Sequence, residues 1–248
     1  MNASDLLLGD RLAPMTSSMG FVDAPSARVS DQLMTWMAET KGALGIDATT
    51  RIIRGSLDEV LHTLLPLRIG EPNRFLLLPT RSSQTCYLDN GYRGTDSAAI
   101  AYLAKALGCR TAWIVAVPNT LRRVGKQWQG RQGTLVLEVY GPHQTEWVNT
   151  VRAIRLVNDA GSWEFDAVGD PYPFEEGNRY LDKKVSDRFT LDMLKRYSAE
   201  LGLHPFDADF YLPPTEQTAN LVQLSGNLPK TSKDVSLGEA RRLNRIED

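Results

Sequence analysis

Residues Ala112-Trp113-Ile114-Val115-Ala116-Val117 are apolar without interruption, with Gly108 shortly before them and Pro118 directly after. Such a short apolar run between breakers fits a strand covered on both faces, so the chain must place structure on either side of a sheet. A helix precedes this strand. Thr95 or Asp96 can accept the free N–H groups of its first turn, Ile100, Leu103, Ala104 and Leu107 recur at helical spacing, and Gly108 supplies a left-handed stop. Thr85-Cys86-Tyr87-Leu88 is a strand candidate upstream, so 85–117 reads as one strand, helix, strand unit. Phe75-Leu76-Leu77-Leu78 adds another strand across the polar turn Arg81-Ser82-Ser83-Gln84.

Around this block the pattern is mixed. Leu33, Met34, Trp36 and Met37 predict a helix running toward Gly45, and Ser56 with Glu59 forms a capping box before Val60, Leu61, Leu64 and Leu65. Gly133–Tyr140 reads as a strand. The turn Asn158-Asp159-Ala160-Gly161 joins Ala153–Val157 to Ser162–Val168, a hairpin signal, and Trp147, Val148 and Val151 suggest a short helix over Gln144–Arg152. Thr190 starts a further helix that Gly202 ends. These elements predict an α+β fold, with α/β as the alternative: a single mixed sheet with flanking helices. Residues 1–225 are expected to form one globular domain that begins with an irregular arm over 1–27, where Pro14, Gly20 and Pro25 break any period. Residues 226–248 form a polar tail in which Ser236 and Glu239 cap a possible short helix, and the tail is expected to be dispensable for folding.

Charge and composition exclude several functions. The 28 Lys and Arg against 30 Asp and Glu leave a formal net charge of −2, which does not suit a chain that coats nucleic acid. No run approaches the roughly 18 apolar residues of a membrane helix, and the N-terminal segment has no basic stretch followed by an apolar one, so a cytoplasmic location is expected. Cys86 and Cys109 are too few to staple a secreted fold; His62, His143 and His204 stand alone in the sequence. The phosphate-loop, dinucleotide, nucleophile-elbow, zinc and calcium motifs are all missing, and no cofactor or metal is expected.

Two segments concentrate chemistry. The first runs from Tyr87 to Asp96, where Asp89, Asn90, Tyr92, Arg93 and Asp96 fall between a strand end and a helix start, a common place for ligands in open sheets. Asp89 could act as a general base there and Arg93 could clamp an anion, although the same residues also spell ordinary turn and cap chemistry. A thiol nucleophile at Cys86 with His143 as base is disfavoured, since a Cys within an apolar strand is usually an inert core residue. The second segment is the tract from Trp163 to Glu176, whose Trp163, Asp170, Tyr172, Glu175 and Glu176 mix aromatics with acids in the manner of a surface that grips a basic partner. Residues 110–131 are its counterpart, with Arg110, Arg122, Arg123, Lys126 and Arg131 and no acid. Read as five charges without interleaved aromatics, this basic tract is a weak signal for phosphate or nucleic acid.

The runs Tyr87–Asp96, Gly141-Pro142-His143-Gln144-Thr145-Glu146 and Arg188-Phe189-Thr190 resemble uncharacterised bacterial proteins of the polymorphic-toxin immunity type, across residues 74–212. That resemblance implies a non-catalytic cytoplasmic protein that binds a cognate toxin and occludes its active site; it carries no catalytic residue with it. The expected partner is therefore a protein, with membrane and nucleic acid not expected. The alternative is a small-molecule hydrolase or transferase acting on an anionic substrate through the Asp89–Asp96 loop.

Overall fold

The computed structural model describes residues 6–214 and 217–246; residues 1–5 of the expected arm and 247–248 of the expected tail lie outside them. The fold is α+β. Its frame is a nine-stranded sheet made of β1 (Ser18–Val22), β2 (Ile46–Arg54), β4 (Arg74–Pro79), β5 (Thr85–Asp89), β6 (Thr111–Val117), β9 (Thr134–Thr145), β10 (Val148–Asp159), β11 (Ser162–Val168) and β12 (Thr218–Gly226), in the order β11-β10-β9-β6-β1-β5-β4-β12-β2. Where a mixed sheet was expected, every neighbouring pair is antiparallel. The strand, helix, strand unit is present, with helix α3 at Ser97–Leu107, but its two strands are not neighbours: β1 lies between β5 and β6 and runs antiparallel to both.

The residues assigned to an irregular N-terminal arm thus supply a central strand and, from Ser26, the start of helix α1 (Ser26–Lys41). Gly20, read in the sequence as a breaker, is where α3 rests on the sheet: a Cβ there would sit 2.0 Å from Ile100 Cδ1. Only a glycine leaves room for that approach. Helices α1 and α3 cover one face with Val29, Leu33, Ile100, Leu103 and Leu107, and Trp36 stacks on Tyr102 between them at 4.2 Å. The opposite face is covered by residues 6–17, by α2 (Leu57–His62) and by α4 (Leu191–Glu200), which pack Leu7, Met15, Leu61, Leu194 and Tyr197 onto Met19, Cys86, Ile114 and Leu137.

Two further expectations change. Gln144–Arg152 is not helical; β9 continues into β10 around Glu146 and Trp147. Thr145 Oγ1 accepts the Trp147 N–H and donates to Thr150 O, and the Asn149 side chain donates to Ala101 O and Gly141 O, so side-chain bonds fix the turn. The C-terminal segment is not a free tail. Strand β13 (Lys233–Val235) pairs with β3 (Leu67–Ile69), and α5 (Leu237–Leu243) follows, with Val235, Ala240 and Ile246 buried. Arg241 donates to Asp10 O at 2.8 Å and Asn244 to Tyr92 O at 2.7 Å, which ties α5 to the N-terminal segment and to the loop after β5. Few apolar residues suffice because hydrogen bonds to main-chain carbonyls complete the docking.

Candidate functional site

The Asp89–Asp96 loop is a bonded corner. The Asp89 carboxylate is buried and accepts the Gly91 N–H at 2.8 Å and the Asp96 N–H at 3.4 Å. Burial pushes its pKa up to about 7, against those two N–H groups, which pull it down. Asn90 uses its whole amide: Oδ1 accepts from Asn73 N and Arg74 N, and Nδ2 donates to Pro66 O and Asn73 Oδ1. Asp96 caps α3 by accepting the Ala98 N–H at 2.7 Å. The Tyr92 main chain donates to Arg68 O and accepts from Asn244. Of the five residues, Arg93 alone lines open space, its guanidinium 5.1 Å from the centre of the Tyr92 ring.

The aromatic-acidic tract is also committed internally. Glu175 and Arg152 form a two-pronged ion pair at 2.6 and 2.9 Å, with side chains only 1% and 4% exposed. Glu175 further accepts the Tyr172 N–H and the Tyr180 hydroxyl, while Arg152 donates to the carbonyls of Val168 and Gly169. Tyr172 stacks on Phe174, and Phe174 meets Tyr197 of α4. Glu176 pairs with Arg196, and its N–H donates to the Tyr197 hydroxyl. Trp163 is half-buried, its ring lying over Gly133. The tract is a clasp that fastens residues 170–181 to β10, β11 and α4, and it takes Glu175 of the expected gripping residues into the fold. Glu175 is out of reach of any partner; of the five residues singled out Asp170 is freely exposed, as are Glu164 and Asp166 of the same tract. Cys86 is fully buried with its thiol pKa raised, whereas His143 is exposed on β9, so the two do not form a nucleophile pair.

An open site lies at the ends of β5 and β6, where α5 and the N-terminal segment meet; a second cleft of about 540 Å³, with Arg81, Asp209 and Tyr211 in its lining, lies apart from it. The cleft at the open site, of about 530 Å³, has Arg93, Arg131 and Arg245 as its charged residues and Ser17 and Thr134 as its hydroxyls; among the described residues no Asp, Glu, His, Cys, Lys or Tyr lines it. It runs into a groove of about 350 Å³ lined by Trp128, Arg242 and Arg245. Trp128 belongs to a small exposed hairpin of β7 (Arg122–Val124) and β8 (Gln127–Gln129). Asp10 bonds Arg131 at 2.7 Å and lies 4.0 Å from Arg241, so one carboxylate faces two guanidiniums. Among the described residues Arg93, Arg242 and Arg245 form no ion pair, leaving the site electropositive. Glu247 and Asp248, which follow in the sequence, lie outside the described residues.

Arg245 carries a conformational cost. It sits just beyond α5 at φ 57°, where the Ile246 N–H reaches back to Arg241 O, a helix end that glycine ordinarily fills. A left-handed non-glycine residue costs about 1–2 kcal/mol, which marks this arginine as placed against its local preference.

Sequence reasoning missed Trp128, Arg242 and Arg245. Trp128 stands between Lys126 and Arg131, so the basic tract does carry an interleaved aromatic, contrary to expectation, and both arginines fall in the segment expected to be a tail. The capping box before α5 was the available signal that this segment is ordered. Comparison with protein-family models, with curated proteins and with solved structures returned no match.

Proposed function

We propose that the protein is a non-catalytic binding protein, an inhibitor of the immunity type that occludes a partner's active site, and that it engages an anionic group of that partner with its arginine-lined end. One observation carries the reading: the cleft presents guanidiniums and hydroxyls and, among the described residues, no side chain suited to act as a general base. It supports the contact being made at this end and not at the Trp163–Glu176 clasp. Guanidiniums that are neither paired nor buried retain their full attraction for carboxylates and phosphates and speed encounter with an anionic surface. The alternative enzyme is left with Arg93 alone facing the cleft, because the carboxylates of that loop serve the turn and the helix cap.

Retention on immobilised heparin tests the anion-binding end. A chain of net charge −2 is expected to bind there only if its charge is segregated. The protein should be retained, and the Arg242→Glu, Arg245→Glu double variant should elute earlier; passage of the unmodified protein straight through would sink this placement. Co-expression with the product of a neighbouring gene tests the inhibitor reading. A complex on gel filtration that the double variant loses supports it, and the absence of any complex together with turnover of a small molecule opposes it.

A further inference from the structure

The arginine-lined cleft would accept any anion, but the groove beside it holds an aromatic ring that a simple anion site does not need. We infer that cleft and groove together take a phosphorylated nucleoside, with the phosphates on Arg93 and Arg245 and the base on the indole of Trp128. This inference rests on the reading of the cleft as an anion site and names its ligand chemistry.

Trp128 belongs to neither hydrophobic core and is 40% exposed on a three-residue strand. Its ring lies over Gly161 in the β10–β11 turn, with Cη2 and Cζ2 2.7 and 2.8 Å from where a Cβ would stand. The glycine therefore seats the indole on the turn, and Trp128 lines the groove with Arg242 and Arg245. An aromatic face beside guanidiniums is the combination that binds a base and its phosphates, because every base has a π-face and phosphate suits the planar guanidinium fork. Arg245, Gly130 and Ile246 line both spaces, so one ligand can reach the anion site and the ring together. The cleft volume of about 530 Å³ lies in the range of pockets for ligands of nucleotide size. A peptide of acidic residues alone would use the arginines and leave the ring without a role.

Calorimetric titration of the full chain with inorganic tripolyphosphate, ATP and a short oligodeoxythymidylate tests this. ATP should bind about tenfold more tightly than tripolyphosphate, the contribution of one stacked base. Trp128→Ala should erase that difference while leaving tripolyphosphate affinity unchanged, Trp128→Phe should keep most of it, and Trp147→Ala, at an exposed tryptophan elsewhere, should change nothing. Arg245→Gly should weaken ATP and tripolyphosphate alike, by about tenfold, without lowering the thermal midpoint, since glycine suits that backbone. Tighter binding of the oligonucleotide than of ATP identifies a strand as the source; equal or weaker binding identifies the free nucleotide. Equal affinity for ATP and tripolyphosphate, no effect of Trp128→Ala, or a preference for polyglutamate over ATP overturns the nucleoside while leaving an anion site in place. Failure of every anion to bind overturns both readings.

Discussion

Arg152 and Glu175 have both left water, and what they gain in exchange is each other. The pair is two-pronged, and the remaining donors and acceptors go to Tyr172, Tyr180, Val168 and Gly169, so neither charge is left unsatisfied. Such a pair adds little net stability compared with apolar packing, yet removing one member strands the other charge. Glu175→Ala should therefore lower unfolding free energy by about 3–5 kcal/mol, whereas Asp170→Ala, at an exposed position in the same tract, should stay within about 0.5 kcal/mol. Denaturant midpoints would decide, and equal effects would dissolve the clasp. Asp89 makes the opposite case, a buried carboxyl with no cation. Its folded pKa of about 7 lies above the ordinary aspartate value of 3.8, so between these values the folded state holds more protons than the unfolded one, and stability falls as pH rises through that window. The protein should be more stable at pH 5 than at pH 8, and Asp89→Asn should flatten the difference; an unchanged slope in the variant would assign it to other groups.

At the level of elements, the contact between α3 and β1 sets the geometry of the central sheet. A methyl group at residue 20 would strike Ile100, so Gly20→Ala should destabilise by about 1–3 kcal/mol through overpacking. Shortening the opposing side chain with Ile100→Val should make the double variant less destabilised than the sum of the single changes, and strict additivity would show that the two do not meet. The β5, α3, β6 unit was legible in the sequence because Asp96, Gly108 and the apolar spacing between them are local signals. So were the Ser56–Glu59 capping box and the hairpin around Asn158–Gly161. Strand β1 was not, since it spans only five residues and its glycine answers to a helix some 80 positions away. Trp147, Val148 and Val151 do fall at helical spacing, yet all three are exposed, so that spacing described no buried face.

At the scale of the whole molecule, the candidate site is assembled from segments that are remote in the chain. Asp10 from the N-terminal segment holds Arg131 and lies near Arg241, Asn244 reaches the loop after β5, and Arg245 closes the cleft from the C-terminal side. A net charge near zero conceals this arrangement, because the acids that balance the arginines lie largely elsewhere, several within the Trp163–Glu176 clasp. Arg93 and Arg131 were the parts of the site visible in advance, Arg93 because a strand end followed by a helix start is a local pattern and Arg131 because it belongs to a tract with no acid. The remainder depends on where α5 docks, and that docking also bears on stability. Burial of Val235, Ala240 and Ile246, with the β13–β3 pairing and the bonds from Arg241 and Asn244, must outweigh the cost of ordering the segment, about 1–2 kcal/mol of backbone entropy per residue. Removing residues 226–248 should accordingly lower the thermal midpoint by several degrees and abolish heparin retention together. Arg242→Glu with Arg245→Glu should weaken retention while leaving the midpoint in place, because both side chains are exposed. A truncated chain that melts with the full-length protein would mean that α5 is held too weakly to form one wall of the cleft.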